Sequence, residues 1–371
     1  MRQALMVAGI LLGTFFIIFF FWARWYDRRE AERMREPSRI DTLLEDSPHV
    51  YSIAARSVLG ERERVPNWTT LWFSSGLGYE FKNADTNKLI ITLGDGPDWY
   101  GARIIGRGER VRGNLVQDLF FPLTDEYSIF VPEKFDWGRG KQPAPFNDIR
   151  ERERYTVDNL MENYAETIGE YLSQNDYQTI IIAGFGEGGF IAPELYFRLK
   201  DLNISGLVII AAGGVSPYES QEILFRKFQA REPPFIPGVI GDDGLLRAFN
   251  FESLYAGILE PYRSEPFPDP HELFGEMGSL YHPTTHIWLR SFLFRRPIEF
   301  YRDINIPVLF LHGELDFRMA VESTRYVEDN LPEKPFVYIY YPEMVWHWPQ
   351  SYGEFMTMRR DIAAWLEAEG L

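Results

Sequence analysis

The chain has 371 residues, of which 45% are hydrophobic and 25% are charged, a composition typical of globular proteins with a large apolar core. Its formal net charge of −16 argues against nucleic acid as a partner, because phosphate binding requires a concentrated basic surface. Cysteine is absent, which excludes disulfides and thiol catalysis.

The first 26 residues contain a candidate membrane-spanning segment. Ala4–Ala23 carries no charged side chain, and about 20 apolar residues are needed to cross a bilayer as a helix. Trp22 and Trp25 stand where aromatic residues line a membrane interface. A cleaved signal peptide is the alternative, but the run is long for one and no small-residue cleavage motif follows it. We expect a single-pass anchor over residues 1–26.

A charged segment separates this anchor from the rest of the chain. Residues 27–66 contain prolines at positions 37, 48 and 66, and this pattern is typical of a juxtamembrane stalk. The arginines at its start favour a cytoplasmic position for the following domain under the positive-inside rule. The absence of cysteine favours an exported domain instead. The side of the membrane therefore stays open.

Apolar runs between turn signals then predict alternating strands and helices. The predicted strands are 69–74 and 78–82 as an opening hairpin, followed by 88–93, 127–131, 179–183, 204–211, 307–311 and 337–341. The predicted helices are 155–172, 188–200 and 352–369. This alternation predicts a mostly parallel sheet with helices on both faces.

One connection between predicted strands is too long for a simple crossover. Residues 215–303 are rich in proline and aromatic side chains, and an insertion of this length is best explained as a lid. The domain itself would then comprise 67–214 and 304–371. Within the lid, 222–228 and 291–301 mix apolar and arginine side chains, and we expect them to pack on the core rather than to contact lipid headgroups.

The most informative motif is a glycine-rich turn between a predicted strand and a predicted helix. Gly184-Phe185-Gly186-Glu187-Gly188 has the frame G-x-S-x-G, the strand-to-helix turn that exposes a nucleophilic serine in hydrolases. Its centre, Gly186, carries no hydroxyl. Glycine adopts the strained conformation of such a turn without a steric penalty. The sequence therefore retains the turn and lacks the usual nucleophile.

Four landmarks in this order resemble the α/β-hydrolase fold family, in particular its prolyl-iminopeptidase-like branch with a lid. The resemblance covers roughly residues 85–371. The landmarks are the loop Leu93–Pro97, where the family has H-G-G-P, the loop Glu133–Gly140, the turn Gly184–Gly189, and the stretch Leu311–Asp316, which resembles h-G-x-x-D. His347 follows the last predicted strand, where the family has its catalytic histidine.

The resemblance implies roles for individual residues. Asp316 and His347 would hold the positions of the triad acid and base, and Gly94, Asp95 and Gly96 those of the oxyanion loop. Without a hydroxyl at Gly186, no acyl-enzyme can form there. The first hypothesis is a membrane-anchored pseudoenzyme that binds a protein partner or a small ligand under the lid, or acts as a structural subunit of a membrane assembly. The alternative is a hydrolase or lyase of small esters or amides that uses His347, Asp316 and an activated water.

Other polar residues allow narrower interpretations. Glu187 could act as a nucleophile only from a position one residue past the centre of the turn. Asp95 and Glu187 together would favour a cationic or amine-bearing ligand, unless Asp95 caps its turn and faces water. His282 and His286 are a weak metal signal without a third ligand motif, so we expect no metal and no cofactor. His312 is expected to be structural, at the end of a buried strand.

Overall fold

The computed structural model describes residues 68–72, 77–83, 85–94, 119–120, 123, 125–132, 156–230, 232, 290–316, 318–344 and 352–371. All of them lie in the unit Arg62–Leu371, one of two into which the chain divides. The expected anchor (1–26) and stalk (27–66) lie outside these residues. Within the part of the chain that the structure describes, no helix is sufficiently long and apolar to span a bilayer.

Eight strands form one sheet in the order β1-β2-β4-β3-β5-β6-β7-β8. The strands are β1 Trp68–Trp72, β2 Leu77–Phe81, β3 Lys88–Leu93, β4 Ser128–Pro132, β5 Thr179–Phe185, β6 Ile204–Ile210, β7 Val308–Gly313 and β8 Phe336–Tyr341. β2 pairs antiparallel with both β1 and β4. The five remaining pairs, from β4 to β8, are parallel. The carboxyl ends of β3 and β5 to β8 therefore meet at one edge of the sheet.

Six helices with assigned bounds accompany the sheet among the described residues. They are α1 Val157–Ser173, α2 Glu187–Arg198, α3 Pro217–Ala230, α4 Ile298–Tyr301, α5 Glu322–Asn330 and α6 Tyr352–Glu369. α1 begins at an N-cap, Thr156, whose side chain accepts a hydrogen bond from the Asn159 N–H. α3 begins with a capping box, because Ser216 Oγ accepts from the Glu219 N–H and the Glu219 carboxylate accepts from the Ser216 N–H.

The central strands are apolar almost throughout because helices cover both faces of the sheet. Side chains alternate between the faces, so Ile181 lies in one buried cluster and Ile182 in the other. The first cluster includes the buried residues of α1, α2 and α5, and the second includes those of α6. The expectation of a mostly parallel sheet with helices on both faces is confirmed.

Every strand that the sequence predicts is present, and the predicted ends differ from the observed ones by at most two residues. Helix α5 has no counterpart in the sequence prediction. Its buried residues are Ser323, Thr324 and Val327, so it lacks the apolar spacing by which an amphipathic helix is recognised. The helix α3 and the segment 290–301 lie within the predicted lid, and six of their large side chains are buried: Tyr218, Leu224, Phe292, Leu293, Ile298 and Tyr301. The expectation that these stretches pack on the core agrees with this burial.

Candidate functional site

A tight turn joins β5 to α2 at the carboxyl edge of the sheet. β5 ends at Phe185, α2 begins at Glu187, and Gly186 between them has φ 53° and ψ −114°. Its N–H donates to the Ile210 carbonyl of β6 at 2.8 Å. A positive φ of this size is unfavourable for a residue that carries a Cβ and is readily adopted by glycine. The turn that the sequence motif predicts is therefore present, with Gly186 at its apex.

The glycines around the apex are required by close packing. A Cβ at Gly184 would collide with the backbone of Gly188, and one at Gly188 with the carbonyl oxygen of Leu93. A Cβ at Gly189 would lie 2.7 Å from the Cβ of Ala212. These contacts press the first turn of α2 against the end of β3 on one side and against the residues after β6 on the other.

The loop after β3 begins beside this turn. Gly94 follows β3 and is half-buried, and its carbonyl oxygen would lie 2.9 Å from a Cβ at Gly188. In α/β-hydrolases the oxyanion hole combines the N–H that follows the nucleophile with an N–H from the loop after β3. Here Gly94 and the start of α2 lie as close to each other as the two donor segments of such an oxyanion hole. Asp95 and Gly96, the other two predicted residues of the loop, lie outside the described residues.

Glu187 is the first residue of α2 and is buried, with 3% of its surface exposed. A carboxylate at this position is stabilised by the partial positive charge of the helix N-terminus. Glu187 directly follows Gly186, so its backbone N–H has the sequence position of an oxyanion-hole donor in a hydrolase of this fold.

Asp316 follows β7 and is buried, with 1% of its surface exposed. Its Oδ1 accepts hydrogen bonds from the N–H of Arg318 at 2.8 Å and of Met319 at 3.0 Å. Its Oδ2 lies 3.7 Å from Nε2 of His312, whose side chain is also fully buried. Backbone N–H donors favour the ionised form of a carboxyl group. Asp316 is therefore a buried carboxyl group with a fixed orientation, and its role as the triad acid stays a prediction.

His312 contacts three different parts of the chain. Nδ1 lies 2.7 Å from Oγ1 of Thr324 on α5, and Nε2 lies 3.0 Å from the carbonyl oxygen of Met319. The Thr324 hydroxyl donates in turn to the carbonyl oxygen of Ala212, after β6, at 2.8 Å. The expectation that His312 is structural agrees with this position.

Helix α3 also supports the acid loop, which we define as residues 316–321. Oγ of Ser220 accepts a hydrogen bond from the Ala320 N–H at 2.9 Å, and Nε2 of Gln221 donates to the Arg318 carbonyl. The Lys227 ammonium forms an ion pair with Glu322 at the start of α5. The first helix of the predicted lid is thus part of the framework that fixes Asp316.

The structure brings some of the predicted site residues together and leaves others undescribed. Gly186, Glu187 and Gly94 are neighbours. Asp316 follows β7, which is two strands away from β5 in the sheet. His347 lies outside the described residues, so its predicted position near Asp316 stays a prediction.

Sequence reasoning missed the contact of Thr324 with His312 and the contacts of Ser220 and Gln221 with the backbone of the acid loop. The capping box that starts with Ser216 would have signalled helix α3. No sequence signal marks the Thr324 contact.

A metal site is not apparent in this region. In the described part of the chain, no group of three or more His, Cys, Asp or Glu side chains could hold a metal ion. His282 and His286 lie outside them.

Known structures resemble this architecture. Proline iminopeptidase from Mycobacterium smegmatis is 14% identical, with a TM-score of 0.52 over 82% of this chain and 98% of that one. The chain has an α/β-hydrolase-like fold. An esterase from Pyrococcus furiosus is 12% identical, with a TM-score of 0.49 over 81% of this chain and 90% of that one. An esterase from Exiguobacterium antarcticum is 15% identical, with a TM-score of 0.46 over 81% of this chain and 99% of that one.

Comparisons at the level of sequence find no relative. No family model matches the chain, and no curated protein sequence matches it significantly. At such low identities the structural likeness establishes the fold and leaves the function to the site.

Proposed function

We propose that this chain is a membrane-anchored α/β-hydrolase-fold protein without a serine nucleophile, a pseudoenzyme that acts as a binding or structural subunit of a membrane assembly. One observation carries the proposal. Gly186, which has no side chain, occupies the apex of a turn with φ 53° and ψ −114°. A hydrolase of this fold needs a nucleophilic oxygen at that apex.

Removing the nucleophile has a large and specific consequence. Without the hydroxyl there is no covalent acyl intermediate, and in a serine hydrolase the loss of one triad member lowers kcat by roughly 10⁴–10⁶. The turn itself survives, because glycine adopts its backbone conformation freely. The fold can therefore persist while the covalent chemistry is absent.

The membrane assignment rests on the uncharged run Ala4–Ala23. The expected ligand is cationic or amine-bearing, because two acidic residues, Glu187 after the apex and Asp95 after Gly94, stand at these two loops in the sequence. Buried carboxylates beside a binding site disfavour anions and favour cations. A protein partner is the other candidate. The predicted anchor over residues 1–26 would hold this chain in the same membrane as such a partner.

A second candidate function is supported by Asp316. Its carboxylate is buried and oriented by two backbone N–H groups. Because burying a carboxylate costs free energy, its presence at this position favours a function for it. If His347 lies against it, the two residues would activate a water in the space beside Gly186. The protein would then hydrolyse small esters or amides, or act as a lyase, without a covalent intermediate.

A labelling experiment tests the absence of the nucleophile. The full chain in detergent is treated with a fluorophosphonate probe, beside a Gly186→Ser variant and a known serine esterase. We expect labelling of the esterase and none of the chain. Covalent labelling of the unmodified chain would overturn the proposal. Labelling of Gly186→Ser would show that the remaining machinery can still activate a hydroxyl.

An activity assay separates the two candidate functions. Turnover of a p-nitrophenyl ester by the full chain that disappears in His347→Ala would support the water mechanism and contradict the pseudoenzyme. The exposed Asp329→Ala serves as the matched control, because it removes a carboxylate away from the site. Without turnover, a stable protein that co-purifies from native membranes with the full chain, and not with a chain lacking residues 1–26, would support the assembly role.

A further inference from the structure

The two ring nitrogens of His312 contact a carbonyl oxygen and a hydroxyl oxygen. Nε2 lies 3.0 Å from the Met319 carbonyl oxygen. A carbonyl has no proton to donate, so Nε2 must carry one. This requirement alone is satisfied by a neutral imidazole, and the other ring nitrogen decides the charge.

Nδ1 lies 2.7 Å from the hydroxyl oxygen of Thr324, which is itself 2.8 Å from the Ala212 carbonyl oxygen. The hydroxyl has one proton. If that proton pointed to Nδ1, the lone pairs of Thr324 and Ala212 would face each other at hydrogen-bond distance inside the protein. The proton therefore lies between Thr324 and Ala212, and Nδ1 has to donate to Thr324.

From these contacts we infer that His312 is an imidazolium ion, doubly protonated and fully buried, and that it acts as a positioning residue for Asp316. The counter-charge is the Asp316 carboxylate, whose Oδ2 lies 3.7 Å from Nε2. Two opposite buried charges offset part of each other's desolvation cost. The two N–H donors on Oδ1 keep Asp316 ionised.

The charged groups on the neighbouring elements are engaged with one another. Tyr340, which pairs with His312 between β7 and β8, donates to the Glu328 carboxylate at 2.6 Å. Arg325 pairs with Glu314 at 2.7 Å. Lys227 of α3 pairs with Glu322. The Asp316 carboxylate, in contrast, lies 3.7 Å from Nε2 of His312.

The imidazolium joins the acid loop to the turn after β5. Through Met319 it contacts the acid loop, and through Thr324 it reaches Ala212, whose Cβ would meet a Cβ at Gly189. The chain thus has a continuous contact path from the first turn of α2 to Asp316. This role for His312 goes beyond the proposed function and does not depend on the absence of a nucleophile.

The ¹⁵N chemical shifts of the ring test the charge directly. The full chain is labelled with [¹⁵N]histidine, reconstituted in lipid and measured by magic-angle-spinning NMR between pH 6 and 9. The chain has six histidines, and the His312 signals are assigned as those lost in His312→Gln. We expect both ring nitrogens of His312 to show protonated shifts at pH 7. An unprotonated Nδ1 at that pH would overturn the inference.

Three variants keep the test independent of folding. Thr324→Val removes the acceptor for Nδ1, and we expect the imidazolium signal to be lost, whereas Thr324→Ser retains the hydroxyl and should retain the signal. Asp316→Asn removes the counter-charge at nearly constant shape, and we expect the imidazolium to disappear at lower pH than in the unmodified chain. Unchanged titration in folded Asp316→Asn would refute the pairing. Failure of the labelling experiment on Gly186 would leave these shifts unaffected.

Discussion

The turn after β5 and the acid loop after β7 occupy the same edge of the sheet, but their polar chemistry differs. At the turn, Gly186 has no side chain and the glycines beside it serve close backbone packing. In the acid loop, the Asp316 carboxylate and the His312 ring are held by contacts from β7, α3 and α5. The nucleophile position is therefore empty while the acid position is fully organised. This difference indicates that Asp316 and His312 stabilise the fold, whether or not they also take part in a reaction.

A neighbouring residue refines the comparison. Ala211, directly after β6, has φ 52° although it carries a Cβ, and Gly186 has φ 53°. The Gly186 N–H donates to Ile210, the residue before Ala211. Two adjacent strands are thus each followed by a residue with nearly the same positive φ, and one of these residues carries a side chain. Glycine at position 186 is therefore not required by the value of φ alone.

The largest effect is expected from the acid loop. Asp316→Ala should lower the free energy of unfolding by about 3–5 kcal/mol, the range for removing one partner of a buried ion pair. The measurement is denaturant unfolding of the full chain in detergent. Asp329→Ala, an exposed acid on α5, should change it by less than about 0.5 kcal/mol. Equal small effects from both substitutions would mean that Asp316 is not paired.

The packing of the turn should respond almost as strongly. In Gly188→Ala the new Cβ would collide with the Leu93 carbonyl oxygen, and we expect a loss of about 3 kcal/mol or complete misfolding. The matched control is Gly169→Ala in α1, where nothing lies within 4 Å of the new Cβ. That change should stabilise the protein by about 0.5–1 kcal/mol because alanine favours a helix over glycine. A tolerated Gly188→Ala would show that α2 and β3 are not in contact.

The sequence predicts the turn and fails to predict the surroundings of the acid for one physical reason. The turn is a local feature, in which a buried strand, a run of glycines and a helix follow one another within 179–198. The His312 network depends on Thr324, twelve residues away on another element. The helix that carries Thr324 buries two small polar side chains instead of an apolar stripe. Local periodicity cannot reveal a helix that packs through hydrogen bonds.

Restoring a side chain at the apex should have a moderate cost. Gly186→Ser places a Cβ at φ 53°, and such strain costs about 1–3 kcal/mol. Gly370→Ser is the control, because Gly370 has φ 70° with nothing within 4 Å of an added Cβ. If both substitutions cost the same, strain alone accounts for the effect. A much larger loss at position 186 would mean that the space beside Gly186 is filled by other atoms, which would argue against a ligand there.

The smallest effect concerns the helix that supports the acid loop from the other side. Ser216→Ala removes the N-cap of α3, whose Ser220 contacts the acid loop, and should cost about 1 kcal/mol. Ser216→Asp keeps a capping oxygen and should recover most of that stability. Hydrogen exchange at the Ala320 N–H separates local from global loosening, since this group donates to Ser220. Faster exchange at Ala320 with unchanged exchange at Phe190 would show that α3 stabilises the acid loop and not the turn after β5. Equal acceleration at both would mean that the two regions open together, and the contrast between them would then be one of composition and not of rigidity.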